Sequence, residues 1–122
     1  MFANLIEDIS DGTLDHDFDL RSLGDQKSVR YDIAAALDKP ATLQISHTQT
    51  GSGDKAFRNT LLRFDAVRER AADEVQATES VYLVVRTPVK VSTTAQTTEL
   101  VNQMVDFLGT AGYVGKLLAG EI

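Results

Sequence analysis

From residue 41 onward the chain alternates. Ala41-Thr-Leu-Gln-Ile-Ser-His-Thr-Gln-Thr50 runs up to a Gly-Ser-Gly-Asp break, Phe57 to Val67 follows, and after a polar stretch the pattern resumes from Ser80 to Ser92. A period of two is the signature of strands with two unlike faces. In the last run Val81, Leu83, Val85, Thr87, Val89 and Val91 share one face, with Tyr82, Val84, Arg86, Pro88 and Lys90 on the other. The middle run separates Thr60, Leu62, Phe64 and Ala66 from Leu61, Arg63, Asp65 and Val67, and the first separates Leu43 and Ile45 from Thr42, Gln44 and Ser46. Together they predict a sheet with one apolar face that needs cover. Its other face carries Thr, Gln, Arg, Tyr and Lys.

The N-terminal third fits the same architecture. Asn4 to Ile9 and Thr13 to Leu20 flank Asp11-Gly12, a dipeptide that favours a tight hairpin turn because glycine tolerates positive φ. The second arm places Leu14, His16, Phe18 and Leu20 on one side and Asp15, Asp17 and Asp19 on the other, a half-buried strand with an acidic outer surface. Lys27 to Ile33 reads as a further strand. Ala34 to Leu37 could extend as helix, but Lys39-Pro40 stops any helix there.

The period then changes to that of a helix. Thr93 with Gln96 predicts a capping box, and Leu100, Val101, Met104, Val105, Phe107 and Leu108 form an apolar stripe. Gly109 is placed to end that helix, and a second short helix is expected over 111–119, ending at Gly120. The fold class is therefore α+β: an N-terminal β-hairpin (1–20), an antiparallel β-sheet (27–92) and two C-terminal α-helices (93–120). Residues 69–79 are expected as a long loop, the kind usually tied to function or mobility. At 122 residues the whole chain, 1–122, reads as a single domain.

Charge adds a polarity along the chain. The net charge is −6, and residues 1–38 account for all of it, with nine acids against three bases. Between 55 and 90 seven bases face five acids, so two surfaces are expected to meet different surroundings. No stretch approaches the roughly 20 apolar residues of a membrane span. Without a signal-like start and without cysteine, the chain reads as a soluble protein made in a cytoplasm, with no disulfide framework and no cysteine-ligated metal.

Motifs for catalysis and for cofactors fail on inspection. Thr50-Gly-Ser-Gly-Asp-Lys55 lacks the first glycine, the spacing and the final Ser/Thr of a phosphate loop, and it sits between strands. Asp15-His-Asp-Phe-Asp19 has Leu20 where a calcium loop needs glycine and Gln26 where it needs glutamate. His16 and His47, the only histidines, fall on separate strands without a nucleophile signature. No enzymatic activity, cofactor or metal is expected.

With those residues placed, the chain resembles the coat proteins of small single-stranded RNA bacteriophages, the leviviruses. The resemblance spans nearly the whole length. It is carried by the order of elements and by Ala41 to Ser46, Phe57 to Phe64, Val85 to Val89 and the terminal helical segment. It implies an intertwined homodimer in which the helices of one subunit (here Leu100, Met104, Phe107 and Leu108) lie across the sheet of its partner. The two sheets then join into one continuous sheet. It further implies a major capsid protein that self-assembles into an icosahedral virion shell in the bacterial host cytoplasm, with genomic RNA and the phage maturation protein as partners. Its inner sheet face would also bind an RNA stem-loop and so repress translation.

The residues matching that inner face are Thr42, Gln44 and Ser46, then Arg63, then Ser80, Tyr82 and Arg86, with Lys90 beyond. By this resemblance Arg63 falls where the family places a basic phosphate contact, and Tyr82 lies on the strand that supplies its base-stacking tyrosine. The plain alternatives are a solvated strand charge for Arg63 and a half-buried sheet aromatic for Tyr82. Gln44 and Leu61 stand where small polar residues are expected, and Asp65 adds a negative charge. In some relatives loop cysteines crosslink neighbours; 69–79 has none. Two other readings remain open at this stage. One is a small dimeric module that uses its open sheet for another partner. The other is a small enzyme built on His47 or paired carboxylates.

Overall fold

The computed structural model describes residues 2–122. The elements run β1 (Leu5–Ser10), β2 (Asp15–Gly24), β3 (Lys27–Asp32), β4 (Ala41–Thr50), a 3₁₀ turn (Gly53–Lys55), β5 (Phe57–Arg70), β6 (Val75–Pro88), α1 (Thr94–Gly109) and α2 (Tyr113–Leu118). The strands form one six-stranded antiparallel meander in chain order, β1 to β6. The chain divides into two compact units: 1–50 with 58–86, and 51–57 with 87–122.

The sheet unit starts as the alternation requires. Asp11 shapes the first hairpin: its Oδ1 accepts from the Thr13 and Leu14 amides, and Gly12 takes a φ of 96°. The loop is four residues, Asp11 to Leu14, so the second arm begins at Asp15 rather than Thr13. A register shift between Ile6 and Ile9 accompanies Asp8 at φ 60°, and another leaves Arg21 as an extra residue between the pairs Leu20↔Arg30 and Ser22↔Val29. Such bulges change which way the following side chains point.

The core of this unit lies on one face. Phe18 and Leu43 are buried, and Phe18 meets Phe64 edge to face at 5.7 Å. The sequence pattern missed the cation among them. Arg30, paired with Leu20 and with Leu43, is 1% exposed; it donates to Ser28 Oγ at 2.8 Å and to the Ala3 carbonyl at 2.9 Å. It therefore holds the N-terminal segment down.

Residues 33–40 form turns, as Pro40 dictates, with no helix. Lys39 is ion-paired with Glu69. The expected 69–79 loop is much shorter. β5 continues to Arg70 and β6 starts at Val75, leaving the turn Ala71 to Glu74, where Arg70 grips Asp73 at 2.8 Å and Glu74 sits at φ 57°. A polar sequence on two paired strands reads as loop because alternation shows only where one face is apolar.

In the other unit, the glycine-rich stretch is a turn. Gly51 has φ 73°, and a Cβ there would stand 2.7 Å from the Lys55 carbonyl oxygen, so a side chain does not fit. The capping box is present: Thr93 Oγ1 accepts from the Gln96 amide at 3.3 Å, and Gln96 Oε1 accepts from the Thr93 amide at 3.0 Å. Gly109 closes α1 from inside, with Thr110 as the cap. Phe107 and Tyr113 join the two helices edge to face at 5.0 Å. Among the described residues, no helix is long and apolar enough to cross a membrane.

Candidate nucleic-acid interface

Strand register assigns the second face of the sheet. Tyr31 pairs with Thr42, Val29 with Gln44 and Lys27 with Ser46, so these six share the face opposite Arg30 and Leu43. On β5 the same face holds Leu61, Arg63 and Asp65, because Phe64 turns to Phe18 on the other side. Side-chain bonds extend it to β6 through Ser80, and alternation then adds Tyr82, Val84 and Arg86.

At its middle the structure ties three of the expected residues to one that the sequence reading counted against the site. Asp65 accepts from Arg63 Nε at 2.9 Å on Oδ1 and from the Ser80 hydroxyl on the same oxygen. Its Oδ2 has a single long contact, Thr42 Oγ1 at 3.5 Å. Arg63 NH2 also donates to Ser80 Oγ at 3.2 Å. Burial pushes the Asp65 carboxyl upward, but the hydrogen bonds from Ser80 and Arg63 and the guanidinium charge outweigh it and hold the group below the usual carboxylate range. It is a fixed anion. The Arg63 charge is thus offset locally, which weakens its pull on a distant phosphate.

The remaining expected residues divide. Tyr82 is 64% exposed, so its ring is open rather than half-buried. Gln44 and Ser46 lie on the face, and Arg86 is exposed at its β6 end. Lys90 is not on a strand: β6 stops at Pro88, and Lys90 sits in the following turn with its Nζ 3.7 Å from Asp54 Oδ1. Past Pro88 the Val89 amide still donates to the Ala56 carbonyl at 3.0 Å, and the chain then turns, with the Val91 and Ser92 amides donating to the Pro88 carbonyl.

The opposite face holds an unforeseen cluster. His16 Nε2 lies 2.8 Å from Asp11 Oδ2 and Nδ1 2.7 Å from Asp32 Oδ2. The Asp11 bond, then the Asp32 bond, raise the imidazole pKa; the Leu14 amide first, with His16 and Thr13, pulls Asp11 down to about 2. The cluster borders a cavity of about 400 Å³ whose walls include Phe18, Phe64, Ala66 and Val81. Only the alternation of His16 with Phe18 hinted at it. His47 lies 3.0 Å from Thr60 Oγ1 across β4 and β5, a sheet-packing position.

In the helical unit, none of the α1 or α2 residues is buried. Leu100 (68%), Met104 (46%), Phe107 and Leu108 (both 45%) all stand open, and so do Val114 and Leu117. In a single copy these residues form an apolar stripe without cover.

No family model and no curated protein matches the sequence. Solved structures match its fold. A virus-like particle of Beihai levi-like virus 21 matches at a TM-score of 0.78 and 12% identity, over 100% of this chain and 98% of that one. The coat protein of bacteriophage EMS014 matches at 0.76 and 14%, over 100% and 99%, and a virus-like particle of bacteriophage AVE019 at 0.76 and 11%, over 98% and 97%. At such identities the likeness is one of fold: this chain has the levi-like phage coat-protein fold, end to end.

Proposed function

We propose that this chain, like the coat protein and the virus-like particles whose fold it shares, is a phage coat protein that assembles into a closed shell, and that it does so by dimerising and packaging single-stranded RNA. The observation that carries the reading is the α1–α2 stripe. A helix with no buried residue in its own copy gains little packing energy there, and short helices owe most of their stability to packing. Large open apolar patches of this kind mark interaction surfaces. The 14-residue edge strand β6 asks for the same remedy, since its unpaired backbone groups template another strand.

A second copy answers both needs. Pairing β6 to its counterpart by a two-fold axis gives one continuous dimer sheet, and the helices of each copy cover the partner's sheet. The partly basic, open face with Arg63, Tyr82 and Arg86 is then the inner wall, facing genomic RNA. A stem-loop bound there would repress translation, and a maturation protein would complete the virion. The role is structural rather than enzymatic, and its place is the virion, assembled in the host cytoplasm.

Negative-stain microscopy of protein expressed in bacteria, together with its ultraviolet absorbance, tests this. Uniform round particles with nucleic-acid absorbance are expected. A discrete small dimer without RNA, across several salt concentrations, would replace the shell with a binding module.

A further inference from the structure

The Asp65 cluster raises a question that shell formation does not answer. A carboxylate fixed in its charged form on an RNA-facing wall repels phosphates, so it is out of place if the wall only neutralises backbone. Its geometry suits a different task. Oδ1 is filled by Arg63 and Ser80, while Oδ2 has only the 3.5 Å contact from Thr42 and retains acceptor capacity. The Arg63 guanidinium is held beside it by two bonds, which leaves other N–H donors. Tyr82, two residues from Ser80 on the same face, offers an exposed ring on which a base can stack.

We infer that Asp65 and Arg63 form a base-reading pair that selects an unpaired guanine lying against Tyr82. Guanine presents O6, N1–H and N2–H₂ in a row, an acceptor followed by two donors. Arg63 donates to O6, and the single open oxygen of Asp65, Oδ2, accepts from both N1–H and N2–H₂ as a shared acceptor. Cytosine and adenine each offer one amino group to the carboxylate, one bond fewer. Uracil offers N3–H, one bond fewer, and turns the O2 carbonyl toward the carboxylate where guanine has its 2-amino group. A buried or half-buried acceptor left without its donor is costly, which makes such an edge discriminating. Arg63 on this account is a base contact whose charge is offset on purpose, and phosphate attraction falls to groups such as Arg86. The assignment rests on the RNA-packaging reading.

Selection from RNA hairpins with randomised loops, followed by equilibrium binding of the winners, tests it. Wild-type protein should enrich guanine at one loop position. Inosine there, which lacks only the 2-amino group, should weaken binding by roughly ten-fold. Asp65→Asn and Asp65→Ala should still form particles and still bind RNA, the alanine variant with weaker affinity for the selected guanine loop. Both should lose the penalty for inosine. RNA binding without a guanine preference, or a preference that survives Asp65→Ala, overturns the base-reading pair and leaves RNA packaging standing. No RNA bound by the wild type at any salt concentration overturns packaging itself, and the pair with it.

Discussion

The sheet unit and the helical unit solve the same problem in opposite ways. In the sheet, Phe18 and Leu43 are shielded by neighbouring strands of the same copy, and even a cation, Arg30, is enclosed there with hydrogen-bond partners. In α1 and α2, with an apolar content as high, no residue is buried. The sheet therefore has its own source of stability. The helices carry good local signals, a capping box above all, but their apolar stripe stands exposed in the single copy. On the coat-protein proposal, folding and assembly are coupled in one region and separable in the other.

That contrast can be broken most severely at the stripe. Leu100→Asp with Met104→Asp should abolish dimers and shells altogether, read by light scattering and microscopy, because charge cannot be buried unpaired in an apolar interface. Circular dichroism should still report the strands. Unchanged particles would remove the stripe from the interface.

A smaller effect is expected from the opposite side of the comparison. Phe18→Ala opens the sheet core and should cost about 3–5 kcal/mol of stability. Denaturant unfolding measures it, and a loss under 1 kcal/mol would mean that the Phe18–Phe64 contact is not the centre of that core.

The mildest expected effect is a pH dependence of the hairpin. His16 has a raised folded pKa, so its contribution is complete below the ordinary value of 6.5 and is lost as pH climbs through the raised one. Asp11, lowered from 3.8 to about 2, contributes above 3.8 and loses that contribution as pH falls toward 2. The hairpin should thus be tightest between about pH 4 and 6.5. An NMR titration should place the His16 midpoint above 6.5 in the wild type and return it toward 6.5 in Asp11→Asn. A wild-type midpoint at or below 6.5 would dissolve the clamp.

Much of this molecule is written locally. The period of two in residues 41–50 and 57–67, the Thr93–Gln96 box and the helical stripe each depend on neighbours a few residues apart, and each appears where the pattern puts it; the Asp11-Gly12 turn forms with a longer loop, and the run expected over 80–92 is a strand that starts at Val75 and stops at Pro88. What misled was also local. Residues 69–79 are polar, and a polar segment looks like loop until its partner strand is known; paired along β5 and β6, both arms simply face solvent. Lys90 continues the alternation, but the chain turns after Val89 and takes Lys90 off the sheet.

Tertiary structure decided what depends on groups far apart in sequence. Asp65 read as an unwelcome charge, and only the approach of Thr42, 23 residues away, and Ser80, 15 away, makes it the hub of the open face. His16 needed Asp32, and Arg30 needed the Ala3 carbonyl 27 residues earlier. Sequence patterns report the period of burial, a property of single strands and helices. Charges and hydrogen bonds are set by distance and direction between elements, which the pattern of one element does not contain.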